Sequence, residues 1–169
     1  MDRRKHDRLP TVSEVCPDDA AVLALSVTRF IAAGYMTGDI ACWDAAYDGA
    51  ERVLGDVEAP TFVAAMTGLM RAIRSERAQD WSFMPATCCR VTPHEEDLMA
   101  LLRSARSAAG RDLSWETAQL AGVASAPRLT GAARIAAELM ERAQRRLSTG
   151  EAPSPGAAGR ISPTHSTMQ

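Results

Sequence analysis

Aromatic side chains make up only 5% of this sequence, and the β-branched residues are sparse beside its alanine. Sheets rely on those two classes. Alanine, leucine, methionine, arginine and glutamate lose little on entering a helix. The shortage therefore disfavours strands and predicts an all-α fold. Long apolar runs are missing as well: none reaches the roughly 18 residues from which a membrane-spanning helix is read. The charged stretch 1–9 is followed by no apolar signal core, so the expectation is a cytoplasmic protein with no membrane partner. An excess of one charge sign is also lacking. A net charge of −2 exerts no global pull on nucleic acid or on an acidic membrane.

The familiar catalytic signatures are missing too. The sequence has no glycine-rich phosphate loop, no His-Glu-x-x-His, no Gly-x-Ser-x-Gly and no Cys-x-x-Cys. His6 and His165 fall in segments read as tails, which leaves His94 at the start of a helix with no visible acid–base partner. A non-catalytic protein without a cofactor is expected, with one opening for a metal ion described below.

What is present is helical periodicity. The length suits one domain, and apolar stripes at helical spacing predict a compact bundle of about five to six helices. A first helix is expected over 18–33, with Leu23, Val27, Phe30 and Ile31 on one stripe and Gly34 at its end. A second is expected over 38–54, carrying Ile40, Trp43, Tyr47, Ala50 and Leu54. A third, over 60–77, carries Phe62, Met66, Leu69, Met70 and Ile73, and that methionine-rich stripe reads as core filler. The stretch 80–91 breaks the pattern at Pro85 and reads as an ordered loop pinned by Trp81, Phe83 and Met84. The clearest helix start follows. Thr92-Pro93-His94-Glu95 is a capping box with proline at the first helical position, and Leu98, Leu101, Leu102 and Ala105 form the stripe behind it, up to Gly110. A short helix should begin after Ser114 and end at Gly122. A last one is expected over 130–147, with Ala132, Ile135, Ala136, Leu139, Met140, Ala143 and Leu147 inward. The organisation expected is a flexible charged leader over 1–15, one helical domain over 16–148, and a disordered Pro/Gly/Ser/Ala-rich tail over 149–169.

Charge is unevenly spread along the chain. Asp39, Asp44, Asp48, Glu51, Asp56 and Glu58 crowd one stretch, and Arg128, Arg134, Arg142, Arg145 and Arg146 crowd another. Two solvated helix faces would explain this. The alternative is that the two stretches dock on each other or on a second copy.

The cysteine pair Cys88-Cys89 stands out. It precedes the helix at Thr92, beside Arg90, so amide donors, the positive end of the helix dipole and a guanidinium all lie close in sequence. Three readings compete. The pair can pack as two small residues in a tight bend. It can be a reactive or redox-sensitive thiol site comprising Cys88, Cys89 and Arg90. It can bind a metal with His94, or with Cys16 or Cys42, although adjacent side chains diverge and make poor chelators. In a reducing compartment all four cysteines are expected as thiols or ligands.

A DNA-binding reading rests on the last helix. Thr92-Pro93-x-Glu95 with Leu98, Leu101 and Leu102 looks like the opening of a helix-turn-helix domain. Ala118 and Gly122 have the alanine-to-glycine spacing of its scaffold helix. Arg128, Arg134, Arg142, Arg145 and Arg146 would then be the nucleic-acid-binding residues. Against it stand the stretch 122–130, long for such a turn and holding Pro127, and Gly131 at a position that should be apolar.

One resemblance spans residues 18–140. The chain has a helix ending in Ala-Ala-Gly, a later helix with Leu69-Met70-Arg71-Ala72, and a Pro85-x-x-Cys88-Cys89-Arg90-Val91-Thr92 loop leading to Glu95. In these features it resembles a family of short alphaproteobacterial proteins described only as a domain of unknown function. The resemblance implies a compact helical domain and points to the cysteine loop. It implies no activity, ligand or partner. The expectation for function is a small non-catalytic interaction or regulatory protein, working through another protein or through self-association. A DNA-binding regulator and a thiol or metal sensor are the alternatives.

Overall fold

A computed structural model of the chain describes residues 8–107 and 112–149. Among them are six helices and no strand. The shortage of β-formers had pointed the same way. The single-turn α1 (Val12–Val15) leads into α2 (Asp19–Thr37) and α3 (Ile40–Glu76). These are followed by α4 (Pro93–Ser107), α5 (Ser114–Ala121) and α6 (Pro127–Thr149). Expectations for residues 1–7, for Gly110 and for 150–169 lie outside the described residues.

The core is a sandwich of the long helices: α3 packs between α2 and α6, and α6 also packs on α4. Leu25 and Ile31 of α2, Phe62, Met66, Leu69 and Ile73 of α3, Leu98 and Leu102 of α4, and Leu129 and Met140 of α6 are completely buried. The methionine stripe is core, as expected. By length and mean hydropathy α2 would suffice to span a bilayer. Here its apolar residues are mostly covered by the other helices. Arg106 ties the layers at one edge. Its guanidinium bonds Glu141 of α6 at 2.5 Å and Asp18, the N-cap of α2, at 2.8 Å. The acidic and basic stretches do meet, where Arg146 Nη1 lies 3.0 Å from Glu58 Oε2.

Several boundaries differ from the sequence reading, each for a physical reason. α2 runs through Gly34 and stops at Gly38, which adopts the left-handed φ of 70°. Gly34 serves close approach instead: a Cβ there would lie 2.6 Å from Trp43 Nε1 of α3. The second and third expected helices are the two arms of α3, joined across a kink at Gly55, the residue expected to close the second. Its φ 78° and ψ 168° suit only glycine, and the latter arm starts directly after it rather than at Pro60. The leader ends earlier than expected. Thr11 N–H donates to Glu14 Oε2 at 2.6 Å to start α1, and Val15 and Cys16 are buried. α6 starts early, at Pro127. The carboxylate of Glu76, at the end of α3, accepts from the amides of Arg128 (3.0 Å) and Leu129 (2.8 Å). Three expected core residues are surface residues: Ile40, the first residue of α3, is 74% exposed, Ile135 is 57% exposed and Tyr47 is 37% exposed. The inward face of α6 instead runs through Leu129, Ala133, Ala136, Ala137, Met140 and Ala143.

Candidate functional site

The loop that carries the cysteines is built around an arginine from another helix. Arg29 sits in the apolar middle of α2 and is 3% exposed. A charge so placed needs a partner and a full set of acceptors. Arg29 Nε donates to Glu95 Oε1 at 2.7 Å, and Nη2 donates to Glu95 Oε2 at 3.1 Å. Its remaining donors reach the loop backbone: Nη1 to the carbonyl of Cys88 at 2.7 Å, Nη2 to that of Arg90 at 2.5 Å. Glu95, 1% exposed, also accepts from the amides of Met84 (3.1 Å) and Thr92 (2.8 Å). Six charge-assisted bonds, counting the two Arg29–Glu95 contacts, the two carbonyls and the amides of Met84 and Thr92, therefore fix the conformation of residues 84–95.

The capping box at α4 forms as read from the sequence. Thr92 Oγ1 accepts from the Glu95 amide at 3.2 Å, and Glu95 returns the bond to the Thr92 amide. The threonine hydroxyl does one thing more: it donates to the carbonyl of Ser82 at 2.8 Å, closing the base of the loop. On the outer side the N-terminal segment is laced to the same loop. Thr11 and Arg90 form an isolated antiparallel bridge. The Val12 amide donates to the Cys89 carbonyl and the Val91 amide to the Pro10 carbonyl, both at 2.9 Å.

The two thiols differ. Cys89 is exposed and Cys88 half-buried, and all four cysteines are free. The Cys88 sulfur accepts a long bond from the Arg90 amide at 3.5 Å. The Arg90 guanidinium turns away, donating from Nη1 to the Leu9 carbonyl at 3.1 Å. Of the three groups expected around the pair, one amide reaches sulfur, while the capping amide of Thr92 serves Glu95. Cys16 is the opposite case: burial pushes its thiol up to about 11. His94 is half-buried rather than solvated. Its Nδ1 accepts from the Ser82 amide at 2.9 Å, and its ring lies 5.7 Å from that of Trp81. Burial, then the nearby Arg77 charge, hold it below the ordinary histidine range. Among the described residues no three His, Cys, Asp or Glu side chains converge on a point that could hold a metal ion, and Cys88, Cys89 and His94 form no such set.

The arginines of α6 sit elsewhere. Arg128, Arg134, Arg142 and Arg145 are exposed, and helical spacing sets them on the side opposite the buried face, with Glu138 among them. Arg146 is half-buried against Glu58. The turn from α5 to α6 spans only 122–126.

The sequence reading missed Arg29, the residue that organises the loop. The available signal was a lone charge, Arg29, inside the apolar stretch of the helix. Comparison with known protein families, with curated proteins and with solved structures returns no match for this chain.

Proposed function

We propose that this chain is a non-catalytic helical interaction or regulatory protein, and that the Cys88-Cys89 loop is its special site. One observation carries the reading: an exposed thiol, Cys89, stands on a backbone locked by a buried ion pair and joined to the N-terminal segment. A bend that only needed small packing residues would have no reason to place Cys89 in solvent. A modified or bound Cys89 acts on the Cys89 carbonyl that receives Val12, so a change at the thiol reaches the strand-like contact between Thr11 and Arg90. The test is capture from native lysate with wild-type chain and with the Cys88→Ser/Cys89→Ser variant. A discrete protein retained by the wild type and lost from the variant supports the reading. Identical retention by both, or none by either, counts against it.

The DNA-binding reading retains one specific support: the exposed arginine stripe on α6, behind a turn shorter than the sequence had indicated. Binding to duplex DNA that weakens steeply with salt, and again with Arg142→Gln/Arg145→Gln, would favour it.

A further inference from the structure

A second site lies away from the cysteines, where the end of α3 faces α2 and the start of the loop. A cavity of about 550 Å³ opens there, floored by Met70 and Ile73 and walled by Tyr35, Trp81 and Phe83. That size lies within the range of small-molecule sites, roughly 300–1,000 Å³. Two arginines line it, Arg74 and Arg77, at a helical spacing that sets them side by side. Each lies over an aromatic ring of the wall: Arg74 Cζ is 4.1 Å from the centre of Tyr35, and Arg77 Cζ is 4.8 Å from that of Trp81. Asp80 is the lone carboxylate among the lining residues.

Neither arginine has an ion-pair or hydrogen-bond partner among the described residues. For Arg77 the lack is costly, since Nε and Nη1 are both shut off from water with no acceptor. Buried donors are nearly always paired, and an orphaned pair on a charged group calls for an explanation. Burial lowers the Arg77 pKa from the ordinary arginine range, partly offset by Asp97. An anion in the cavity would offset the guanidinium charge, without reaching those two enclosed atoms. The rings of Tyr35, Trp81 and Phe83 would cover a flat apolar body beside it.

We infer that this cavity binds a small aromatic anion, its carboxylate or phosphate held by Arg77 and Arg74 and its ring packed against Trp81 and Phe83. The arginine fork suits either anion, so the two chemistries are compared directly. The probes are 2-naphthoate, 2-naphthyl phosphate and the neutral 2-naphthalenemethanol, added to the full chain. The readout is the indole N–H signal of Trp81 in a nitrogen–proton correlation spectrum, assigned with Trp81→Phe. A saturable shift with one or both anions is expected, at least about tenfold tighter than with the alcohol. Arg77→Gln should weaken the better anion by about tenfold or more, and so should Arg74→Gln. Arg74 is exposed, so its variant keeps the test sound if Arg77→Gln fails to fold. The inference is overturned if no probe shifts Trp81, if the alcohol binds as well as the anions, or if neither arginine variant weakens binding.

Discussion

At the scale of single residues, Arg29 governs the candidate site. Its guanidinium satisfies Glu95 and two loop carbonyls at once, so removing it strands a buried carboxylate and two acceptors. Arg29→Met should cost about 3–5 kcal/mol in a urea melt. Arg29→Met combined with Glu95→Leu should cost less than the two single changes summed, because the second change removes the charge the first leaves unpaired. Full additivity would mean that the pair contributes only packing. Cys16 gives a pH prediction. Its thiol holds its proton in the folded chain up to about 11, against 9.0 for the unfolded reference. The native state therefore binds more protons between those values, and stability falls as pH rises from about 9 to about 11. Cys16→Ala should flatten that slope, which denaturant melts across the window will show. Neither residue's role was legible from its neighbours in sequence. Glu95 was accounted for by the capping box alone, and its link to Arg29 joins positions far apart in the chain.

At the scale of elements, some local signals were read correctly, although the Thr11–Glu14 capping box and the Gly38 stop, equally local, were missed. The Thr92-Pro93-x-Glu95 start and the Gly122 stop are set by residues within one turn of themselves. Boundaries set from a distance were not visible: Glu76 caps α6 from the end of α3, and Gly34 faces a tryptophan of the next helix. Both are testable. Glu76→Ala should destabilise by about 1 kcal/mol by freeing two amides at the start of α6. Gly34→Ala would by propensity stabilise α2 by about 1 kcal/mol. The contact with Trp43 reverses the sign: the indole must move from its edge-to-face packing on Tyr35, 5.1 Å between centroids, and a net loss of about 1–3 kcal/mol is expected. A thermal melt that rises for Gly34→Ala would show that Trp43 is free to shift.

At the scale of the whole molecule, composition alone was enough for the fold class, because a chain poor in aromatic and β-branched residues has little choice but helices. The position of the loop was legible too, through Pro85 and the capping box. What lay beyond the sequence was the exposure of each thiol and the direction of the Arg90 side chain, since both depend on how α1, α2 and α4 meet. The measurement that bears most directly on the loop as the special site is alkylation of the folded, reduced, metal-stripped chain near neutral pH. Mass spectrometry follows all four cysteines in one time course, each rate divided by its rate in denaturant. The expected result is that Cys88 or Cys89 is labelled ahead of both Cys16 and Cys42. Equal or slower labelling at both Cys88 and Cys89 would contradict it and leave the pair as packing residues of a bend.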